Sequence, residues 1–177
     1  MKVRVNSKDA LIDIMEEYPF RGPLDIVENI KDIIQGKRVC DLGCGKGDLL
    51  ALMSQYAESV CGVEINKEKA DTAKSRGLEI YNDNIYEKIP NADVYYVWVS
   101  SQVALVEYLI KIIKHECVFM LGSRKGFKPM EDIVEKYGGY NIYSEYTEST
   151  DKHILEMTAG NFKNSGVWTI GLILNTI

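Results

Sequence analysis

Cysteine and histidine are scarce in this 177-residue chain, at four and two, and proline is no more frequent than cysteine. Cys40, Cys44, Cys61 and Cys117 form no Cys-x-x-C pair. Three of them stand in or beside apolar runs, so small core residues in a reducing compartment are expected, not disulfides or zinc ligands. His115 and His153 are isolated from other ligand-type residues, and no metal site is expected. His115 reads as the end of the helix before the fifth strand. The segment MKVRVNSKDALIDIMEEY carries acidic residues where a secretion signal needs an apolar block. No apolar run, VWTIGLILNTI included, reaches the about 20 residues of a membrane span. A soluble cytoplasmic protein with no membrane partner is the expectation. Positive charge is also short, 21 Lys+Arg against 26 Asp+Glu. That balance gives no general electrostatic grip on nucleic acid, although it leaves room for a local basic patch.

What is present suits one globular domain spanning residues 1–177, since a chain of this length buries roughly two thirds of its unfolded surface without staples. After Ser7, a candidate N-cap, Leu11, Ile14, Met15 and Tyr18 follow helical spacing. YPFRGP interrupts that helix. A second one starts near Pro23, presents Ile26, Ile30, Ile33 and Ile34, and ends at Gly36. From there the pattern alternates. Strands are predicted at Arg38–Leu42, Ser59–Ile65, Leu78–Tyr81, Asp93–Val99 and Cys117–Leu121. Helices are predicted at Asp48–Tyr56, Lys67–Arg76 (capped by Asn66 and Gly77), Gln102–Lys114 and Met130–Tyr137. Runs such as VYYVWV are apolar on both faces, as in a parallel sheet covered by helices on both sides. This is the order of an open, doubly wound α/β fold. YNIYSEYTEST and VWTIGLILNTI read as an antiparallel C-terminal hairpin, and HILEM, within residues 148–166, fits either a strand or a loop.

The stretch Asp41-Leu42-Gly43-Cys44-Gly45-Lys46-Gly47 leaves a predicted strand and opens a predicted helix, the context that gives a glycine motif meaning. Glycines let a ligand approach the backbone, and the helix start beyond favours an anionic group. The dinucleotide fingerprint is G-x-G-x-x-G. Here the third glycine comes one residue early, and Asp48 holds the expected place. Asp41 would repel a diphosphate but receive an ammonium group. In VCGVEIN, Glu64 ends the second strand where a carboxylate can accept both ribose hydroxyls, with Ile65 beside it. YNDN then brings Asp83 and Asn84 to the same sheet edge, where a carboxylate can accept from an adenine amine. Amino acid, ribose and adenine are the three parts of S-adenosylmethionine (SAM). Each element also has a plainer reading: a tight turn for the glycines, solvation for Glu64, and a local turn for Asp83 and Asn84.

VCDLGCGKGDLL closely resembles the first motif of the class I SAM-dependent methyltransferases, VCGVEIN the second, and NDNIYEKIP, more loosely, the third. The resemblance runs from Arg38 to about Leu121. It implies a mostly parallel seven-stranded sheet with helices on both faces and the last strand inserted antiparallel. It further implies that Asp41 and the Gly43–Gly47 loop, Cys44 and Gly45 included, hold the methionine part, Glu64 the ribose and Asp83 the adenine. On this reading residues 1–36 are helices covering the cofactor site, with Tyr18, Phe20 and Arg21 as candidates to close it, and residues 37–177 form the Rossmann-like core. A plain interhelical turn also accounts for those three.

The acceptor end departs from the family's amino-methylating members. ADVYYVWVSSQ has no (D/N)-P-P-(Y/F) tetrapeptide, and Ser100 and Ser101 stand there instead. Ser101 reads as a helix N-cap, and Trp98 as either core or pocket wall. Arg124, Lys125 and Lys128 form a polar loop that a solvated surface explains, or that an acidic substrate would suit. The expected function is methyl transfer from SAM to an unidentified acceptor, a small molecule or protein in preference to nucleic acid. A catalytic residue is not assigned. The competing readings are a SAM-binding regulatory or partner module without chemistry, and a NAD-dependent oxidoreductase.

Overall fold

The structure, a computed structural model, describes residues 27, 30–99, 103–124, 126–145 and 167–175. The expected helix over Leu11–Tyr18, the Tyr18, Phe20 and Arg21 closure, the Pro23 helix start, Ser100, Ser101, Lys125, His153 and the HILEM segment lie outside the described residues.

Among these residues seven strands form one sheet: β1 (Arg38–Leu42), β2 (Ser59–Val63), β3 (Glu79–Tyr81), β4 (Val94–Trp98), β5 (Cys117–Arg124), β6 (Tyr140–Glu145) and β7 (Val167–Asn175). Their spatial order is β3-β2-β1-β4-β5-β7-β6. The first five pair in parallel, and β7 runs antiparallel between β5 and β6. Helices α1 (Asp48–Met53), α2 (Lys67–Ser75), α3 (Val103–Ile112) and α4 (Lys128–Lys136) connect them. The helical residues 30–34 precede β1.

Side chains alternate across a strand, so each strand feeds two cores. One core joins Val39, Val94, Tyr96 and Met120 to Ile30, Ile34 and the apolar faces of α1 and α2. The other joins Cys40, Leu42, Tyr95, Val97 and Phe119 to Leu105 and Leu109 of α3 and to Met130 and Ile133 of α4. Burial on both faces is why VYYVW carries no polar residue. The doubly wound architecture with an antiparallel C-terminal strand pair is as expected.

Element ends moved where hydrogen bonding redirects the backbone. β2 stops at Val63, not Ile65, because the Val63 carbonyl accepts from the Gly43 and Cys44 amides at 2.8 and 3.1 Å. β4 starts after Asp93, whose carboxylate turns back to Arg38: it accepts from the Arg38 amide at 2.9 Å, from Nε at 3.0 Å and from a terminal guanidinium nitrogen at 2.6 Å. That fork holds the Asp93 carboxyl down to about 2. β5 runs three residues past Leu121 because β7 supplies partners from Cys117↔Asn175 through Arg124↔Trp168. The first helix ends at Met53, short of Tyr56, and the third at Ile112. His115 lies beyond that end, its Nε2 2.8 Å from the Ala92 carbonyl oxygen. Asn66 caps α2 as expected, accepting from the Lys69 amide at 3.0 Å, and Gly77 follows with φ +81.

The β3–β4 connection, residues 82–93, contains no helix. At the other end of the sheet, packing is tight: a Cβ at Gly171 of β7 would lie 2.4 Å from Val134 Cγ2 of α4. Gly171→Ala is therefore expected to destabilise the fold by about 1–3 kcal/mol in urea unfolding. Val134→Ala in the same chain should recover part of the loss, and strictly additive costs would show that the two positions do not compete for space.

Candidate functional site

The carboxyl ends of β1, β2 and β3 converge on one edge, where open α/β sheets bind ligands. The loop leaving β1 turns sharply, with Gly43, Gly45 and Gly47 at φ +89, +57 and +82. Their surroundings differ. Among the described residues, no atom lies within 4 Å of a Cβ added at Gly45, and at Gly43 the only such neighbour is Ile85 Cδ1 at 3.9 Å. At Gly47 the added atom would meet Leu78 Cδ1 at 2.5 Å and Ala73 Cβ at 3.0 Å. Gly43 and Gly45 thus face open space, whereas Gly47 lets α2 pack against the loop. That packing role falls one position earlier than in the dinucleotide pattern. Asp48 follows and pairs with Arg76, which also donates to the Lys46 carbonyl at 3.2 Å.

Glu64 is buried at 8% exposure, and both its oxygens are used. Oε2 accepts from the Gly45 amide and Oε1 from the Asn66 amide, each at 2.8 Å. The end of β2 thereby braces the glycine turn and the entry to α2 at once. Each oxygen retains a lone pair for a further donor. Asn82, which sequence reasoning missed, donates from Nδ2 to the Glu64 and Ile65 carbonyls at 2.9 and 3.1 Å. Its signal was its place at the end of β3, the usual position of a strand-to-loop tie. Ile65 is 70% exposed despite its apolar side chain.

Asp83 and Asn84 organise their own loop. Asp83 Oδ1 accepts from the Asn84 amide at 2.9 Å, and Asn84 Oδ1 accepts from the Tyr86 amide at 3.0 Å. Asp83 is exposed and Asn84 half-buried. Cys44 is tucked inward, its thiol filling the space a side chain at Gly62 would need. Burial, and then Asp41 and Glu64, push that thiol well above the ordinary range. Trp98 packs against the core containing Tyr96, beside Gly122.

Asp41 is the electrostatic centre. It is 4% exposed, with no side-chain hydrogen bond or ion pair among the described residues. Burial, and then the Glu64 charge, raise its carboxyl to about 7. Buried Tyr96, its register neighbour on β4, is pushed up by burial and by Asp41. The chain thus brings Asp41, Gly43, Gly45, Glu64 and Ile65 to one edge, with the Asp83–Asn84 turn at the next strand end. It turns Gly47 and Cys44 inward. Among the described residues no cluster of three or more potential ligands could hold a metal ion.

The strand order and inserted antiparallel strand are those of the class I SAM-dependent methyltransferase fold. Residues 24–117 match the family model of methionine biosynthesis protein MetW, just over half of the chain. The chain belongs to the MetW family. It is also 31% identical over 67 residues to the ubiquinone biosynthesis O-methyltransferase of Bordetella avium (strain 197N), covering 38% of this chain and 28% of that protein. The match therefore spans little more than a quarter of the relative's length. The SAM-dependent O-methyltransferase of Thermotoga maritima superposes with a TM-score of 0.66 at 14% identity, covering 94% of this chain and 71% of that one. The plantazolicin methyltransferase BpumL in complex with SAH gives 0.59 at 12% identity, over 99% and 96%. At these identities the likeness to the solved structures is one of fold.

Asp41 makes a stability prediction with a definite sign. Its folded value of about 7 lies above an unfolded value near 3.9, so the folded state holds its proton more tightly. Ionised Asp41 then destabilises the ligand-free protein above pH 7, on the order of 4 kcal/mol. That penalty shrinks as pH falls through the folded value and vanishes below the unfolded one. Asp41→Asn should raise the unfolding free energy at pH 8 and leave it nearly unchanged at pH 4. Equal effects at both values would remove the buried charge as the cause.

Proposed function

We propose that this chain is a methyltransferase that binds SAM along the β1–β3 edge and passes its methyl group to a small-molecule or protein acceptor. The observation that carries the reading is Asp41, a buried carboxylate with no side-chain partner among the described residues, set beside two left-handed glycine turns that no described side chain fills. A buried charge of this kind calls for a cation. The fit extends along the edge: Asp41 suits an ammonium group, the open Gly43 and Gly45 backbone a carboxylate tail, the spare lone pairs of Glu64 a pair of ribose hydroxyls, and exposed Ile65 an aromatic ring face. Asp83 and Asn84 stand where adenine polar atoms would be met. A diphosphate suits it poorly, because Asp41 and Glu64 bring negative charge to the loop.

When bound, SAM supplies an electrophilic methyl group on a positively charged sulfur. The chain's own contribution is orientation. The Glu64 bonds to the Gly45 and Asn66 amides fix the loop before any ligand arrives, so less ordering is lost on binding. Fixing the acceptor in line with the reacting carbon supplies much of the rate in such a displacement. An acceptor other than nucleic acid is supported by the net charge of −5. No helix among the described residues is long and apolar enough to cross a membrane, and the four cysteines are free. Both features suit the expected cytoplasmic setting.

Calorimetry with SAM and SAH, followed by transfer of labelled methyl groups into a cell extract, tests the proposal. Both ligands should bind, more weakly as pH falls below about 7 and Asp41 takes up a proton. Binding of NAD but not SAM would reject it, and binding without any labelled acceptor would favour the module without chemistry. Glu64→Ala should weaken SAH binding by about 2–4 kcal/mol, because it loses charge-assisted acceptors worth about 1.5–3 kcal/mol each. Unchanged affinity would move the ribose away from Glu64.

A further inference from the structure

Cys40 and Cys61 are register partners on the parallel strands β1 and β2. Residues directly opposite on neighbouring strands project to the same face, so both thiols lie on the face opposite to that of Val39 and Asp41. Cys40 is fully buried, whereas Cys61 is half-buried. Cys61 lines a cavity of about 340 Å³ with Arg38, Glu79, Tyr81, Lys88 and Pro90. The β3–β4 connection, which carries no helix, supplies Lys88 and Pro90 to the cavity wall.

The two sulfurs are chemically unequal. Cys61 opens on the cavity while Cys40 is closed off from solvent, and the neighbouring Cys40 thiol lowers the Cys61 thiol below its ordinary range. Burial and the Glu79 and Asp41 charges act against that lowering. Of the two cations on the wall, Arg38 is occupied by Asp93, and the Lys88 ammonium lies 4.7 Å from the centre of the Tyr81 ring. An accessible thiolate is the form that attacks disulfides, so the thiol that opens on the cavity is the one placed to react first. The other two cysteines offer nothing comparable, since burial raises both Cys44 and Cys117.

We propose that Cys61 is a modification site for low-molecular-weight disulfides entering through this cavity, and that Cys40 is the resolving thiol that closes a Cys40–Cys61 bridge between β1 and β2. The Cys61 thiolate attacks one sulfur of R–S–S–R, the S–S bond breaks, and RS⁻ leaves with the bonding pair and takes up a proton. Cys40 then gives up its proton, attacks the Cys61 sulfur and expels the second RS⁻, which is protonated in turn. Two protein thiols are oxidised and one external disulfide is reduced to two RSH. Strand neighbours stand about 4.8 Å apart, inside the range of about 4.4–6.8 Å that a disulfide spans between Cα atoms.

The cavity is lined by the first residues of β1 and β2 and not by Asp41, Gly43, Gly45, Glu64 or Ile65 of the cofactor edge, and the full folded chain tests the proposal with glutathione disulfide near neutral pH, acid quenching and peptide mapping. The wild type should end with the Cys40–Cys61 bridge, leaving Cys44 and Cys117 as free thiols. Cys40→Ser and Cys40→Ala should both stall at a glutathione adduct on Cys61. Cys61→Ser should leave Cys40 unmodified. Adducts shared equally among the cysteines, or a wild type that carries glutathione on Cys61 without ever closing the bridge, would overturn the proposal. The wild-type map decides the matter even where a variant fails to fold.

Discussion

One carboxylate ties three strand ends into a site. Glu64 leaves β2 at the point where the sheet stops, and its two oxygens take the amides of Gly45 and Asn66. Without that acceptor, a loop of three left-handed glycines would carry large conformational freedom. With it, the loop after β1 and the start of α2 are fixed to the same side chain. Asn82 adds the third strand by bonding the Glu64 and Ile65 carbonyls. The convergence at the carboxyl edge thus rests on hydrogen bonds radiating from a single buried residue and its backbone.

Asp41 shows the opposite economy. It occupies an interior place beside Glu64, where burial and like charge both act against ionisation, and no described side chain compensates it. A group so placed weakens the fold when ionised and becomes useful once a cation neutralises it. The Asp48–Arg76 pair a few residues later is conventional by comparison, with each charge answered within the chain. The two aspartates thus differ in that Asp48 is paired within the chain, while Asp41 carries its charge without a described partner.

Much of this was legible in the sequence, for identifiable reasons. Two-sided burial left VYYVW entirely apolar, and Asn66 and Gly77 marked both ends of α2. The glycine loop announced its geometry through spacing alone. Legibility failed where a hydrogen bond to a sequence-distant partner, not a local backbone preference, ends an element. The Asp93 fork to Arg38 trims β4, and the Val63 carbonyl trims β2, through partners dozens of residues away or in another loop. The split among the glycines was equally hidden, since Gly45 and Gly47 differ only in what Ala73 and Leu78 bring to them. Likewise, nothing near Cys40 and Cys61 in the chain signals that register sets them side by side.

The position of β7 between β5 and β6 also governs how the molecule can assemble. Among the described residues β6 is an edge strand whose only neighbour is β7, yet it emerges earlier during synthesis. Its backbone donors and acceptors must wait, unsatisfied by any earlier strand, until a later segment arrives to bridge it to β5. Such a waiting edge is open to pairing with other chains. Nascent or partly unfolded copies would therefore stick to one another along this margin first, with the five parallel strands already in order.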